Sequence, residues 1–191
     1  MRQPIKGLCL IAVAGLSTTA QANHLIEIDL TVLNQITINA TNGTSMATVS
    51  GSTTTGFYFA SFYNGPGATG LNETLISGNL TTANNPSDNS PNLFRSGTTD
   101  PGLNVFSYSP NATSSFTAGQ LAFTGSATFS LQADDYADML AGNLSGDIYF
   151  PADNLPDLPT AQIVGTWIVI PTPGAASLAG IAGLAAVRRR R

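Results

Sequence analysis

Residues 120–131 read QLAFTGSATFSL and carry the clearest strand pattern in the sequence. The odd positions are apolar or glycine, namely Leu121, Phe123, Gly125, Ala127, Phe129 and Leu131. The even positions are mostly polar, namely Gln120, Ala122, Thr124, Ser126, Thr128 and Ser130. Successive side chains of a strand point to opposite faces, so this alternation predicts one long strand in a sheet with one solvated face.

The same period of two recurs on both sides of this stretch. Towards the N-terminus, Ile26, Ile28, Leu30 and Val32 alternate with polar residues and predict a first strand. Asn42-Gly43 predicts a hairpin-type turn, and the polar stretch 81–102 predicts a long surface loop. Further strands are predicted at 36–40, 46–50, 57–63, 74–80, 103–108, 146–150 and 162–170.

One short helix is predicted after residue 131. Asp134 or Asp135 can cap its start, Tyr136 and Leu140 lie one turn apart, and Gly142 can end it. One helix among roughly eight to ten short strands predicts an all-β fold, an antiparallel β-sandwich or jelly roll. An N-terminal signal helix and a C-terminal apolar helix are expected to flank it.

The N-terminus has the three parts of a secretory signal. Arg2 and Lys6 are basic, residues 7–16 are apolar, and Ala20 and Ala22 frame an A-x-A cleavage site. The apolar core of about ten residues is too short to cross a bilayer, which needs about 20. We therefore expect signal peptidase to cleave after Ala22.

Cleavage there would divide the chain into a leader at 1–22, an ectodomain at 23–170 and a tail at 171–191. Cys9 is the only cysteine and would leave with the leader. The ectodomain would then have no disulfide, thiol nucleophile or cysteine metal site.

The tail also has three parts. A proline motif ends the last predicted strand, because proline cannot donate to a ladder. Residues 175–187 are apolar and would form a helix of about 20 Å, a weak span for a hydrocarbon core of about 30 Å. The arginines that follow favour the cytoplasmic side of a membrane. The motif is Pro171, Thr172, Pro173 and Gly174, and the arginines are Arg188, Arg189, Arg190 and Arg191.

This arrangement resembles the PEP-CTERM sorting signal of Gram-negative bacteria, in a Pro-Thr-Pro-Gly form similar to those of planctomycetes. The resemblance covers residues 171–191 alone, and Thr172 stands where the consensus carries glutamate. It implies transient residence in the inner membrane, processing by an exosortase, and delivery to the cell surface or extracellular matrix.

Charge excludes one class of partner for the ectodomain. Residues 23–170 contain one basic residue, Arg95, and all 11 carboxylates, which gives a net charge of −10. Nucleic-acid binding needs a basic surface, so no nucleic-acid partner is expected. Such an acidic surface would also be repelled by anionic lipid headgroups.

Few groups in the ectodomain could carry out catalysis. Its only histidine is His24, next to the predicted cleavage site, and it has no lysine. The nucleophile elbow, the H-E-x-x-H motif and the phosphate-binding loop are all missing from the sequence. We therefore predict no enzyme activity and no cofactor. A glycosidase that uses paired carboxylates, including Glu27, stays an alternative.

Two binding functions also remain open. Asp134, Asp135 and Asp138 lie close together in sequence and are calcium candidates, since calcium prefers oxygen ligands. The alternative role for these aspartates is helix capping. A second possibility is that aromatic rings form a platform that stacks on sugars. The alternative for these rings is packing in the core. The rings are Tyr58, Tyr63, Tyr108, Tyr149 and Trp167.

The first functional hypothesis is therefore a non-catalytic component of the cell surface or exopolysaccharide matrix. The alternative is a calcium- or glycan-binding extracellular module. Signal peptidase and an exosortase are the expected partners during processing, and exopolysaccharide is a candidate partner afterwards. The matrix polymer and the oligomeric state are not specified by the sequence.

Overall fold

A computed structural model describes residues 24–67, 71–84, 91–107 and 113–170. The predicted leader and tail, with their two flanking helices, lie outside the described residues. Thirteen strands, one α-helix and one 3₁₀ turn follow in chain order. They are β1 His24–Asp29, β2 Gln35–Ala40, β3 Val49–Ser52, β4 Phe57–Phe59, β5 Glu73–Gly78, β6 Thr81–Thr82, β7 Pro91–Phe94, β8 Leu103–Ser107, β9 Thr113–Phe116, β10 Phe123–Thr124, β11 Ser126–Leu131, α1 Ala133–Leu140, β12 Ser145–Phe150, the 3₁₀ turn Leu155–Asp157 and β13 Gln162–Val169. The predicted all-β fold with one short helix is confirmed.

Nine strands form one large sheet in the order β5-β11-β2-β1-β13-β12-β4-β8-β7. Every neighbouring pair is antiparallel except β1 and β13, which are parallel. The prediction of a purely antiparallel sheet is wrong at this pair. A parallel pair needs a long connection, and here the remainder of the described domain connects the two strands.

The large sheet curves until its two edge strands approach each other. The backbone N–H of Leu93 in β7 donates to the carboxylate of Glu73 in β5, at 3.3 Å. Two small sheets, β3 with β9 and β6 with β10, complete the strand pairing. Phe116 of β9 and Phe123 of β10 contact Phe57 and Phe150 of the large sheet. A buried aromatic cluster therefore joins the small sheets to the large one.

The long strand predicted at 120–131 is interrupted at Gly125. Its φ of +80° directs the chain out of one sheet and into another. Before this residue, β10 pairs with β6; after it, β11 pairs with β2 and β5. Phe123, Ala127 and Phe129 are buried as predicted. Before them the alternation fails, since Leu121 is exposed and Ala122 is buried.

Gly125→Ala is expected to lower the free energy of unfolding by about 2–3 kcal/mol, because alanine is strained at positive φ and its Cβ needs space. A Cβ at Gly125 would lie 2.4 Å from the carbonyl oxygen of Asn79. Gly119 is the matched control, with φ +78° and no atom within 4 Å of its Cβ position. Urea unfolding should therefore show a loss of about 1 kcal/mol for Gly119→Ala. Equal losses in the two variants would contradict the role of the Asn79 contact.

Several predicted elements end earlier than the sequence pattern indicates. The first strand stops at Asp29, whose carboxylate accepts the N–H of Thr31 at 2.7 Å. Val32 therefore lies exposed in the turn before β2. The strand predicted at 57–63 ends at Phe59, since Ser61 adopts a φ of +56°.

Other predictions are wrong about the type of element. Asn42-Gly43 does not form a hairpin with the next strand, because β3 pairs with the distant β9. The stretch predicted as a loop at 81–102 contains β6 and β7. The strand β9, with the sequence TSSF, has no clear alternation and was not predicted.

The predicted helix is present as α1, but its details differ. Gln132 is the N-cap and makes no side-chain capping bond, so neither Asp134 nor Asp135 caps the helix. Tyr136 and Met139 form the buried stripe, whereas Leu140 is exposed. No helix within the described ranges is long and apolar enough to cross a membrane.

Candidate functional site

Two of the three carboxylates proposed as calcium ligands have separate partners. Asp134 is exposed in the first turn of α1. Asp135 is buried and accepts the N–H of Asn72 at 3.0 Å. Asp138 lies 3.7 Å from a guanidinium nitrogen of Arg95. Across the described residues, no three acidic, histidine or cysteine side chains lie close enough to hold a metal ion. The geometry gives the calcium hypothesis no support, and it stays a prediction.

Arg95 is the centre of a buried polar cluster that the sequence did not indicate. Its Nε donates to the carbonyl oxygen of Asp100 and its Nη2 to that of Gly65, both at 2.9 Å. The guanidinium carbon lies 3.8 Å from the centre of the Tyr63 ring. Gly67 leaves room for the guanidinium, since a Cβ there would lie 2.0 Å from Nη1. Arg95 therefore joins the segment after β7 to the turn after β4 and to α1.

Asp100 extends this cluster beneath the 3₁₀ turn. Its carboxylate accepts the Tyr58 hydroxyl and the N–H groups of Gly102 and Leu155. Burial raises the pKa of Tyr58 well above its usual value, and the hydrogen bond to Asp100 adds to the effect. The Tyr58 hydroxyl therefore remains a donor. Three donors on one buried carboxylate describe a structural anchor rather than a group free for catalysis.

A pair of carboxylates, Asp153 and Asp157, lies next to this anchor. The N–H of Asp153 donates to Asp157 at 3.1 Å, and the amide of Asn154 donates to the Asp153 carboxylate. Burial raises the pKa of Asp153, and its hydrogen bond with Asp157 raises it further. The raised value means that folding favours the protonated form of Asp153.

Asp153→Asn is expected to raise the melting temperature at pH 7. A raised carboxyl pKa in the folded state gives stability that is complete below the unfolded-state pKa and is lost as the pH rises through the folded one. Asparagine keeps the oxygen acceptor but carries no charge, so the gain should vanish below about pH 4. Thermal unfolding of both proteins across pH 3–8 would measure it. A gain that is the same at every pH would contradict this reasoning.

An open cleft of about 550 Å³ lies where the two edges of the large sheet approach. Glu73 and Thr74 of β5 line one side, and Leu93 of β7 lines the other. Ser130 and Gln132 are also among its lining residues. Amide, hydroxyl and carboxylate groups predominate, so the cleft suits a polar ligand. No local sequence pattern indicates this cleft, because the composition of 81–102 predicts a loop where β7 lies.

Most of the aromatic residues proposed as a glycan platform are not available to a ligand. Tyr58, Tyr63 and Trp167 are buried. Tyr149 is partly buried in β12, and Tyr108 lies outside the described residues. Core packing therefore accounts for the three buried rings, and any sugar contact must use other groups.

The one histidine and the two glutamates of the described residues have structural contacts. His24 Nδ1 lies 3.0 Å from the hydroxyl of Thr166, across the β1–β13 pair. Glu73 links the sheet edges through Leu93. Glu27 is partly buried in β1 and pairs with Asn39 of β2 and Ile168 of β13.

No protein-family model, curated protein or solved structure matches the chain.

Proposed function

We propose that this chain is a non-catalytic protein of the cell surface or extracellular matrix, exported by its leader and sorted through its tail by an exosortase-type system. The observation that carries the proposal is the pair of addresses in the sequence. An A-x-A leader ends at Ala22, and the proline motif, apolar segment and arginines occupy 171–191. Between them lies a folded β-domain with its own core.

The composition of the β-domain suits a protein that must remain folded outside the cell. Residues 23–170 contain no cysteine and no lysine, so folding needs no disulfide. Their single arginine, Arg95, is buried. A protease that cuts after basic residues therefore finds its only target within 23–170 protected while the domain is folded.

We also propose that the domain is a variant of a β-sandwich or jelly roll. The two small sheets pack through Phe116 and Phe123 on the large curved sheet, which places an aromatic layer between them. Burial of one face of each sheet in a shared core is the feature that defines such folds.

Mass spectrometry of the protein recovered from native cells tests the sorting proposal. We expect an N-terminus at Asn23 and, in the surface fraction, loss of the apolar segment and the arginines. The intermediate that still carries the tail should be found in the inner-membrane fraction. Recovery of the intact chain, with leader and tail, from the cytosol would overturn the proposal.

Glycan binding is a second candidate, favoured by the polar cleft between β5 and β7. Gln132 is exposed at its rim and makes no helix-capping bond, so its amide can contact a sugar. Gln132→Ala should weaken retention on a column of the host's own exopolysaccharide. Gln162→Ala is the matched control, since Gln162 is also exposed but does not line the cleft. Equal retention of both variants and the parent protein would argue against this site.

A further inference from the structure

The end of the sheet from which the chain leads into the tail carries exposed apolar side chains. Ile170 is the last described residue, and its N–H donates to the carbonyl oxygen of Ile28 at 2.8 Å. Beside it, the N–H of Val169 donates to the carbonyl oxygen of Leu144 at 2.8 Å. Leu144 is 68% exposed. The chain therefore leaves the sheet next to an uncovered leucine.

The turn between β1 and β2 adds two more such residues at the same end. β1 runs parallel to β13, with Ile28 beside Val169, so the turn that follows β1 lies just beyond the exit point. Val32 and Leu33 in this turn are 53% and 74% exposed. We name Val32, Leu33 and Leu144 the exit face.

Chain length limits how far the exit face can be from the tail. Four residues, 171–174, separate Ile170 from the apolar segment at 175–187. Fully extended, four residues reach at most about 14 Å. If the apolar segment enters a bilayer, the exit face must then lie close to the headgroup layer.

We propose that the exit face rests on the bilayer surface while the tail is retained, with Val32, Leu33 and Leu144 placed among the lipid headgroups. This inference rests on the proposed membrane residence of the tail. Exposed apolar residues gathered at a membrane-proximal end gain burial at the interface. The domain is thereby oriented relative to the membrane and does not swing freely on its linker.

The charge of the domain selects the lipid. Asp29 lies at the end of β1, near the same turn, and residues 23–170 carry a net charge of −10. Anionic headgroups repel such a surface. The exit face therefore fits zwitterionic lipid, such as phosphatidylcholine or phosphatidylethanolamine, better than phosphatidylglycerol.

Single-cysteine labelling tests the proposal in the full chain. Cys9→Ser removes the only native cysteine, so one introduced cysteine can carry an environment-sensitive NBD dye. Leu33→Cys and Leu144→Cys probe the exit face. Met46→Cys is the control, since Met46 is 64% exposed and its N–H bonds to Val164, near the opposite end of β13.

The protein is expressed in full, purified from membranes and reconstituted in phosphatidylcholine vesicles, and its mass is determined from the same sample. We expect the labels at Leu33 and Leu144 to shift to shorter wavelength and to be quenched by nitroxide lipids. The label at Met46 should behave as in water. Raising the phosphatidylglycerol content should reduce the shift at Leu33.

The remaining outcomes distinguish failure of this inference from failure of the proposed membrane residence of the tail. Protein that floats with the vesicles while all three labels remain in water would overturn the inference and leave the tail anchor intact. Protein that does not float would overturn both. Equal burial of the Leu33 and Met46 labels would exclude an oriented domain, and protection of Leu33 without vesicles would point to self-association instead.

Discussion

Replacement of Arg95 by methionine is expected to lower the free energy of unfolding by about 3–5 kcal/mol. The change removes a buried hydrogen bond to the carbonyl oxygen of Asp100 and a part-buried one to that of Gly65. An unsatisfied buried polar group costs about 1–3 kcal/mol. It also removes the cation above the Tyr63 ring and leaves Asp138 without its ion-pair partner. Methionine fills part of the volume but satisfies none of these groups.

Urea unfolding followed by the fluorescence of Trp167, the only tryptophan and fully buried, would measure the loss. Asp138→Asn is the control, because the Asp138 side chain is 28% exposed and its ion pair is long, at 3.7 Å. Removal of that charge should cost about 1 kcal/mol or less. Arg95→Lys should fall between the two, since lysine keeps the charge but lacks the planar fork. A loss below about 1 kcal/mol for Arg95→Met would show that the cluster is not an anchor.

Phe116→Ala is expected to cost a similar amount, about 3–5 kcal/mol, because it leaves a cavity in the aromatic core. Phe116 is 1% exposed, and its ring centre lies 5.1 Å from that of Phe150 and 5.4 Å from that of Phe123. These contacts attach the β3–β9 sheet to the large sheet. The β3–β9 pair should therefore loosen before the rest of the domain.

Hydrogen exchange would detect that order, with the amides of β3 and β9 losing protection first. Trypsin measures opening elsewhere in the domain, around Arg95 in the segment after β7. Arg95 is the only lysine or arginine within 23–170 and is cut only when its surroundings open. Met46→Ala, at an exposed position in the segment before β3, should change stability by less than about 0.5 kcal/mol. Uniform loss of protection throughout the domain would contradict a local attachment role for Phe116.

The candidate sites were harder to predict than the strands. Composition identifies Arg95 as the sole basic residue of 23–170, but its burial depends on Tyr63, Gly65 and Asp138, which are distant in sequence. The ion pair with Arg95 occupies the Asp138 carboxylate, which was one of the three calcium candidates. The cleft between β5 and β7 needs two strands that are 13 or more residues apart and pair with different neighbours. No local pattern indicates such a meeting.

The sequence by itself determined the all-β class and the position of α1, because each is written in a local period. The paired addresses at 1–22 and 171–191 rest on local composition and stay predictions. Alternation at 26–30 and 162–169 was enough to locate β1 and β13. Only the tertiary structure decided that these two strands pair in parallel and that the chain leaves the sheet beside Leu144. Alternation specifies which face of a strand is buried, whereas the choice of neighbour depends on how all the strands share one core.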